Sequence, residues 1–213
     1  MKKIAVFLML VALLVTMPAS ARFNAAKSDA KKVHVGLRAG VGSSGYYNID
    51  DRDYEAYGLV TPVGGVFADF KVAKLPLYLE TGAYYQNMGS KIREWYGYSY
   101  YNRYHDRYHS HRSNRDSYKL NNHSVLVPLV LSYHLYASDQ IVIQPFTGFF
   151  GSYGFTSEEV DFGLREGIGV SFGHLNISFG VNIGVLDQKH HTDQLWVEDA
   201  HHVSAFFGLG VNF

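Results

Sequence analysis

The 213-residue chain has no cysteine. Disulfides, thiolate nucleophiles and cysteine-ligated metals are therefore excluded, as is a lipid-modified N-terminal cysteine. It has no excess of either charge, with 19 basic and 19 acidic residues, so nothing global points to nucleic acid as a partner. Beyond the N-terminus it has no long apolar run, which excludes spanning helices, and its mean hydropathy is −0.10. Neither H-E-x-x-H nor a phosphate-binding G-x-x-x-x-G-K-[ST] occurs.

The N-terminus reads as a secretory signal cleaved after residue 21. Lys2 and Lys3 form its charged part, Ile4 to Val15 its apolar part and Ala19-Ser20-Ala21 its cleavage site. The apolar part is too short to anchor the chain, because a spanning helix needs roughly 20 residues. A short lead, 22–31, precedes one domain, 32–213. Without Lys2 and Lys3, 17 basic residues face 19 acidic ones. A secreted, cysteine-free domain of this size must be held by its core or by a membrane.

Glycine (21) and aromatics (2 Trp, 17 Tyr, 14 Phe) are abundant, and apolar residues recur with a period of two. At the C-terminus Val203, Ala205, Phe207, Leu209, Val211 and Phe213 alternate with His202, Ser204, Phe206, Gly208, Gly210 and Asn212. In a strand this sorts the two sets onto opposite faces. Eight such segments lie near 32–42, 58–71, 75–90, 118–136, 140–152, 160–172, 174–187 and 201–213. The second and fifth are weakened by Pro62 and Pro145, which cannot donate to a ladder. Short connections alternate with long polar stretches at 43–57, 91–117, 153–159 and 188–200. The fold expected is all-β: an eight-stranded antiparallel up-and-down transmembrane β-barrel with short periplasmic turns and longer extracellular loops. A lipocalin-like barrel would need a solvated outer face, and the polar face here is Gly, Ser and Asn with few charges. An immunoglobulin-like sandwich does not explain the sorting of loop lengths.

Several stretches resemble the small outer membrane protein β-barrel family of Bacteroidota-type bacteria, often labelled porin-family. They are Val35-Gly36-Leu37-Arg38-Ala39-Gly40, Tyr78-Leu79-Glu80-Thr81-Gly82-Ala83-Tyr84-Tyr85, Val127-Pro128-Leu129-Val130-Leu131-Ser132-Tyr133, and Asp161-Phe162-Gly163-Leu164 to Gly167-Ile168-Gly169-Val170. The resemblance implies an outer-membrane barrel inserted by the barrel assembly machinery, with the strand ending in Phe213 as the recognition signal. It implies no common substrate. The long second loop departs from the family pattern.

The register opposite the apolar one carries Arg38, Asp69, Glu80 and Arg165. Buried charges persist only when paired, so a lumen ion-pair network is expected rather than a catalytic set. Eight strands leave room only for side chains, so the lumen should be closed. Strict alternation turns Glu166 towards lipid, where a charge is costly; a bulge near Gly163 or Gly167 would re-aim it inward.

The second loop is basic and aromatic: over 91–119 seven Lys and Arg stand against three acids, a net of +4. Arg93, Trp95, Tyr98, Tyr101, Arg103, Tyr104, Arg107 and Arg112 form a candidate surface for anionic or sugar-bearing ligands, with lipopolysaccharide the nearest such partner. The alternative is a solvated loop or a β-ribbon extension. His105, His109, His111, His190 and His191 are weak metal candidates whose spacing matches no closed site. No cofactor is expected. His123-Ser124 invites comparison with lipid-A-modifying barrels, but adjacent strand residues point to opposite faces. A structural or surface-recognition role is therefore expected of a monomer, with a narrow or gated pore as the runner-up and an enzyme behind it.

Overall fold

The computed structural model describes residues 33–47, 54–72, 75–102, 107–138, 140–192 and 195–213. Within these, residues 54–55, 94–102, 107–116, 118, 189–192 and 195–199 are described by backbone alone. The signal segment and lead lie outside the described residues.

Thirteen strands form: β1 (Val33–Tyr47), β2 (Tyr54–Tyr57), β3 (Leu59–Lys71), β4 (Leu77–Asn87), β5 (Ser90–Asn102), β6 (Arg107–Leu120), β7 (His123–Tyr133), β8 (Leu135–Tyr136), β9 (Ile141–Gly154), β10 (Val160–Phe172), β11 (Leu175–Gly184), β12 (Gln188–Thr192) and β13 (Leu195–Asn212). Eight of them make a closed antiparallel barrel in the order β1-β3-β4-β7-β9-β10-β11-β13, and β13 returns to pair with β1 from Gly36↔Asn212 to Tyr47↔His201. Closure removes the sheet edges that would otherwise need covering.

Exposure follows the alternation and is inverted relative to a water-soluble barrel. Val35, Leu37, Val41, Phe179 and Leu209 are exposed, while Arg38, Asp69, Glu80, Arg165, Asn176 and Asn182 are buried. A wall that is apolar outside and polar inside suits acyl chains as its solvent.

Prolines sit where ladders stop. Pro62 pairs with Val41 on β1, but the β3–β4 ladder begins only at Val63↔Gln86. Pro145 follows the last β7–β9 pair, Ser132↔Phe146, and precedes the β8–β9 pairs. Pro128 lies in the gap between Thr81↔Leu129 and Tyr84↔Leu126. No N–H is missed at these places.

Three stretches expected as loops are largely strand. Residues 91–117 form most of a hairpin, β5–β6, which with β2 makes a separate three-stranded sheet. β1 runs on to Tyr47, and β12 pairs with the extended start of β13. All these additions lie at the rim opposite the short connections. The hairpin is rooted through Asn87: its side-chain oxygen accepts the backbone N–H of Gly89 (3.0 Å) and Asn122 (2.9 Å), and its carbonyl accepts the Ser44 hydroxyl (3.0 Å). Ile92 buries against Tyr46 and Ala200 beneath it.

The bulge considered for Glu166 does not form. Register is continuous from Gly163 to Gly167 on both sides of β10. Glu166 therefore stays on the outer face, midway along β10, half-buried, where the Thr147 hydroxyl donates to it at 3.5 Å.

Candidate functional site

The lumen is filled by side chains. Arg38 on β1 reaches past β3 to Glu80 on β4, its two terminal nitrogens donating to the two carboxylate oxygens at 3.1 and 3.3 Å. This fork-to-fork geometry suits a desolvated ion pair. Tyr84, one turn of the pleat further along β4, accepts from Arg38 at 2.9 Å and donates to Glu80 at 3.3 Å. Gly65 stands between Arg38 and Tyr84 in register, and a Cβ there would collide with Tyr84. Arg38 also lies 4.4 Å over the Phe67 ring.

The other two charges expected in the network adjoin this pair, Arg165 lying 5.4 Å over the Tyr84 ring. Asp69 is opposite Glu80 in the ladder but makes no ion pair among the described residues. Arg165 donates to Asn182 at 2.7 Å and lies 4.0 Å over Phe206. Asn182 passes the chain on to Ser204 at 2.9 Å. The network is thus one bidentate ion pair plus a guanidinium held by an amide and a ring face. Phe67, Tyr84, Met88, Leu126 and Phe150 pack above and around it, and Val130, Phe146 and Phe206 form a second cluster.

Towards the short-turn end the lumen is closed by stacked rings. Tyr78 lies 3.8 Å from His134 and 5.6 Å from His34. His134 falls in the one-residue break between β7 and β8, where its backbone N–H donates to the Pro76 carbonyl and its ring bonds Ser132 at 3.2 Å. Gln144, Ser171 and Asn176 form a further hydrogen-bonded group.

Of the candidate surface residues, Arg93 is described: it donates to the Tyr57 hydroxyl at 3.2 Å and covers the Tyr57 ring at 4.6 Å. Trp95, Tyr98, Tyr101, Arg107 and Arg112 lie on β5 and β6, and their side chains are outside the described residues. Arg103 and Tyr104 lie outside them altogether. Among the metal candidates His105 is outside the described residues. His109, His111, His190 and His191 are placed by backbone only.

His123 and Ser124 do point to opposite faces. His123 bonds the Tyr85 hydroxyl at 2.7 Å on the exterior, and Ser124 donates to the Asn122 carbonyl at 3.0 Å inside. Two motif matches in the sequence carry no chemistry where they fall. Gly169-Val170-Ser171-Phe172-Gly173 spells G-x-S-x-G, but it runs from β10 into a two-residue hairpin turn, with Gly173 at φ 58°. A nucleophile elbow needs a strand-to-helix turn. Gly40 to Gly45 spells G-x-G-x-x-G within β1, without the following helix that binds a pyrophosphate.

No protein-family profile matches the chain, and no curated protein sequence does. Solved structures with similar folds include Neisserial surface protein A (8% identity, 86% of this chain and 98% of that one, TM-score 0.41). The attachment invasion locus protein Ail of Yersinia pestis is 11% identical over 86% of this chain and 100% of that one, with a TM-score of 0.34. The outer membrane protease OmpT of Escherichia coli is 7% identical over 85% and 96%, with a TM-score of 0.37. At such scores these are likenesses, and the barrel assignment rests on the closed strand order itself.

Proposed function

We propose that the chain is a small outer-membrane barrel, closed to diffusion, that presents its β2-β5-β6 sheet at the cell surface to an anionic ligand. The observation that carries this reading is the asymmetry of the rims. One end is finished by short connections, and β2, β5, β6 and β12 grow from the other. That sheet contains most of the net +4 charge of residues 91–119, interleaved with Tyr and Trp. Such a mixture suits phosphates and sugars, and lipopolysaccharide supplies both at an outer membrane. Membrane insertion by the barrel assembly machinery, through the strand ending in Phe213, belongs to the same reading, as does a non-catalytic role. Packing of the lumen by Arg38, Tyr84, Phe67, Phe150 and Phe206 speaks against the pore alternative.

The test is co-sedimentation of the reconstituted barrel with lipopolysaccharide-bearing vesicles and with zwitterionic vesicles. Binding to the first alone, weakened by salt and lost when residues 91–119 are replaced by a short turn, is expected. Equal binding by the shortened protein would overturn the assignment of the ligand to this sheet.

A further inference from the structure

At the rim from which the extra strands grow, the lumen ends in a small polar cavity of about 10 Å³, room for a single water molecule or ion. Its lining comes from many elements: Ser124 of β7, Ser152 of β9, Asp161 of β10, Gln188 of β12, with Asn122 and Glu159 from the connections. Asp161 is 4% exposed. One of its carboxylate oxygens accepts the Phe162 backbone N–H at 2.8 Å. The other, Oδ2, meets no donor in hydrogen-bond geometry. Among the described residues the His202 ring brings its Nδ1 to 3.9 Å from this oxygen, too far for a hydrogen bond; the Leu186 amide also bears on the carboxylate. A buried carboxylate oxygen facing a cavity without a donor is costly unless something positive fills the space.

We propose that this cavity binds one hard divalent cation, with calcium the best fit, held by the Asp161 and Glu159 carboxylates and completed by side-chain oxygens of Asn122, Gln188, Ser124 and Ser152. The lining offers carboxylate, carboxamide and hydroxyl oxygens, which is the donor set calcium selects, with water making up its six to eight ligands. Transition metals fit it poorly. They favour imidazole and thiolate, and the lining offers one imidazole, His202, and no thiolate. Space for the carboxylate is made by Gly184, where a Cβ would meet Asp161. A cation here ties together the turn before β10, β12 and the barrel wall, and so fixes the rim on which the surface sheet stands. The proposal does not depend on what that sheet binds.

The experiment uses the full mature chain folded in a zwitterionic detergent and stripped with EDTA. Calcium is expected to raise the unfolding midpoint saturably. Terbium, as a calcium substitute, should bind at one equivalent and luminesce when tyrosine is excited, since Tyr46 lines the cavity; calcium should displace it. Asp161→Asn should weaken calcium at least about tenfold, given the loss of a charged ligand. Glu159→Gln, on the exposed turn side, should weaken it less and covers the case in which Asp161→Asn does not fold. Glu166→Gln, a carboxylate on the outer wall, should bind as the parent does. No calcium shift and no saturable terbium signal in the parent would overturn the proposal. So would equal responses from the parent and from whichever cavity variants fold.

Discussion

Arg38 and Glu80 are each about nine-tenths buried and joined by two hydrogen bonds. Such a pair contributes little over an apolar substitute, but breaking it is expensive because one charge stays behind. Arg38→Met alone should lower stability by about 3–5 kcal/mol, and Arg38→Met with Glu80→Leu by clearly less, as read from urea unfolding of the barrel in detergent. Glu166 presents the opposite case. Its only described hydrogen bond is a long one from Thr147, and its position midway along β10 puts it near the bilayer midplane. Glu166→Leu should stabilise the barrel in lipid by about 1–2 kcal/mol; a loss of stability on that substitution would mean the carboxylate has a partner that the isolated chain does not show.

At the scale of elements, the strands most legible in the sequence are those with strong contrast between their faces. In β11 Leu175, Ile177, Phe179, Val181 and Ile183 alternate with Asn176, Ser178, Gly180 and Asn182, and both faces follow directly from the period. β5 and β6 have no such contrast: Tyr, Ser and Arg occupy both parities, so a real hairpin reads as a polar loop. The same limit applies to the lumen. Parity alone puts Arg38, Asp69, Glu80 and Arg165 inside, but pairing depends on height and on what the intervening strand allows. Arg38 reaches Glu80 two strands away, while Asn182 and Phe206 hold Arg165. The rim cavity was illegible because its residues come from six or more separate segments of the chain. The hairpin is an addition to the barrel and not a part of its closure, since β4 and β7 pair directly. Replacing residues 91–119 with a short turn should therefore leave the heat-modifiable mobility of the folded barrel unchanged on gels. Asn87→Ala, which removes the side-chain oxygen that accepts two backbone N–H groups at its root, should instead raise proteolysis within the hairpin before the barrel unfolds.

For the whole molecule the consequence of a packed interior is electrical. Arg38, Glu80, Tyr84 and Arg165 fill the middle of the lumen, and the Tyr78 and His134 rings close one end. In planar bilayers the protein should give no steady single-channel steps, and uniform ohmic steps would contradict a closed barrel. The central claim, however, is that each strand turns its apolar residues to lipid and its polar ones to a crowded interior. The absence of cysteine makes this directly measurable, because single-cysteine variants carry no background thiol. Nitroxide labels placed one at a time along β11, at each residue from Leu175 to Asn182, would be compared for collisions with oxygen, which dissolves in the bilayer, and with a water-soluble paramagnetic reagent. The account predicts high oxygen accessibility at Leu175, Ile177, Phe179 and Val181 and low accessibility to both reagents at Asn176, Ser178, Gly180 and Asn182. Accessibility without a period of two, or oxygen accessibility on the polar positions instead, would contradict it.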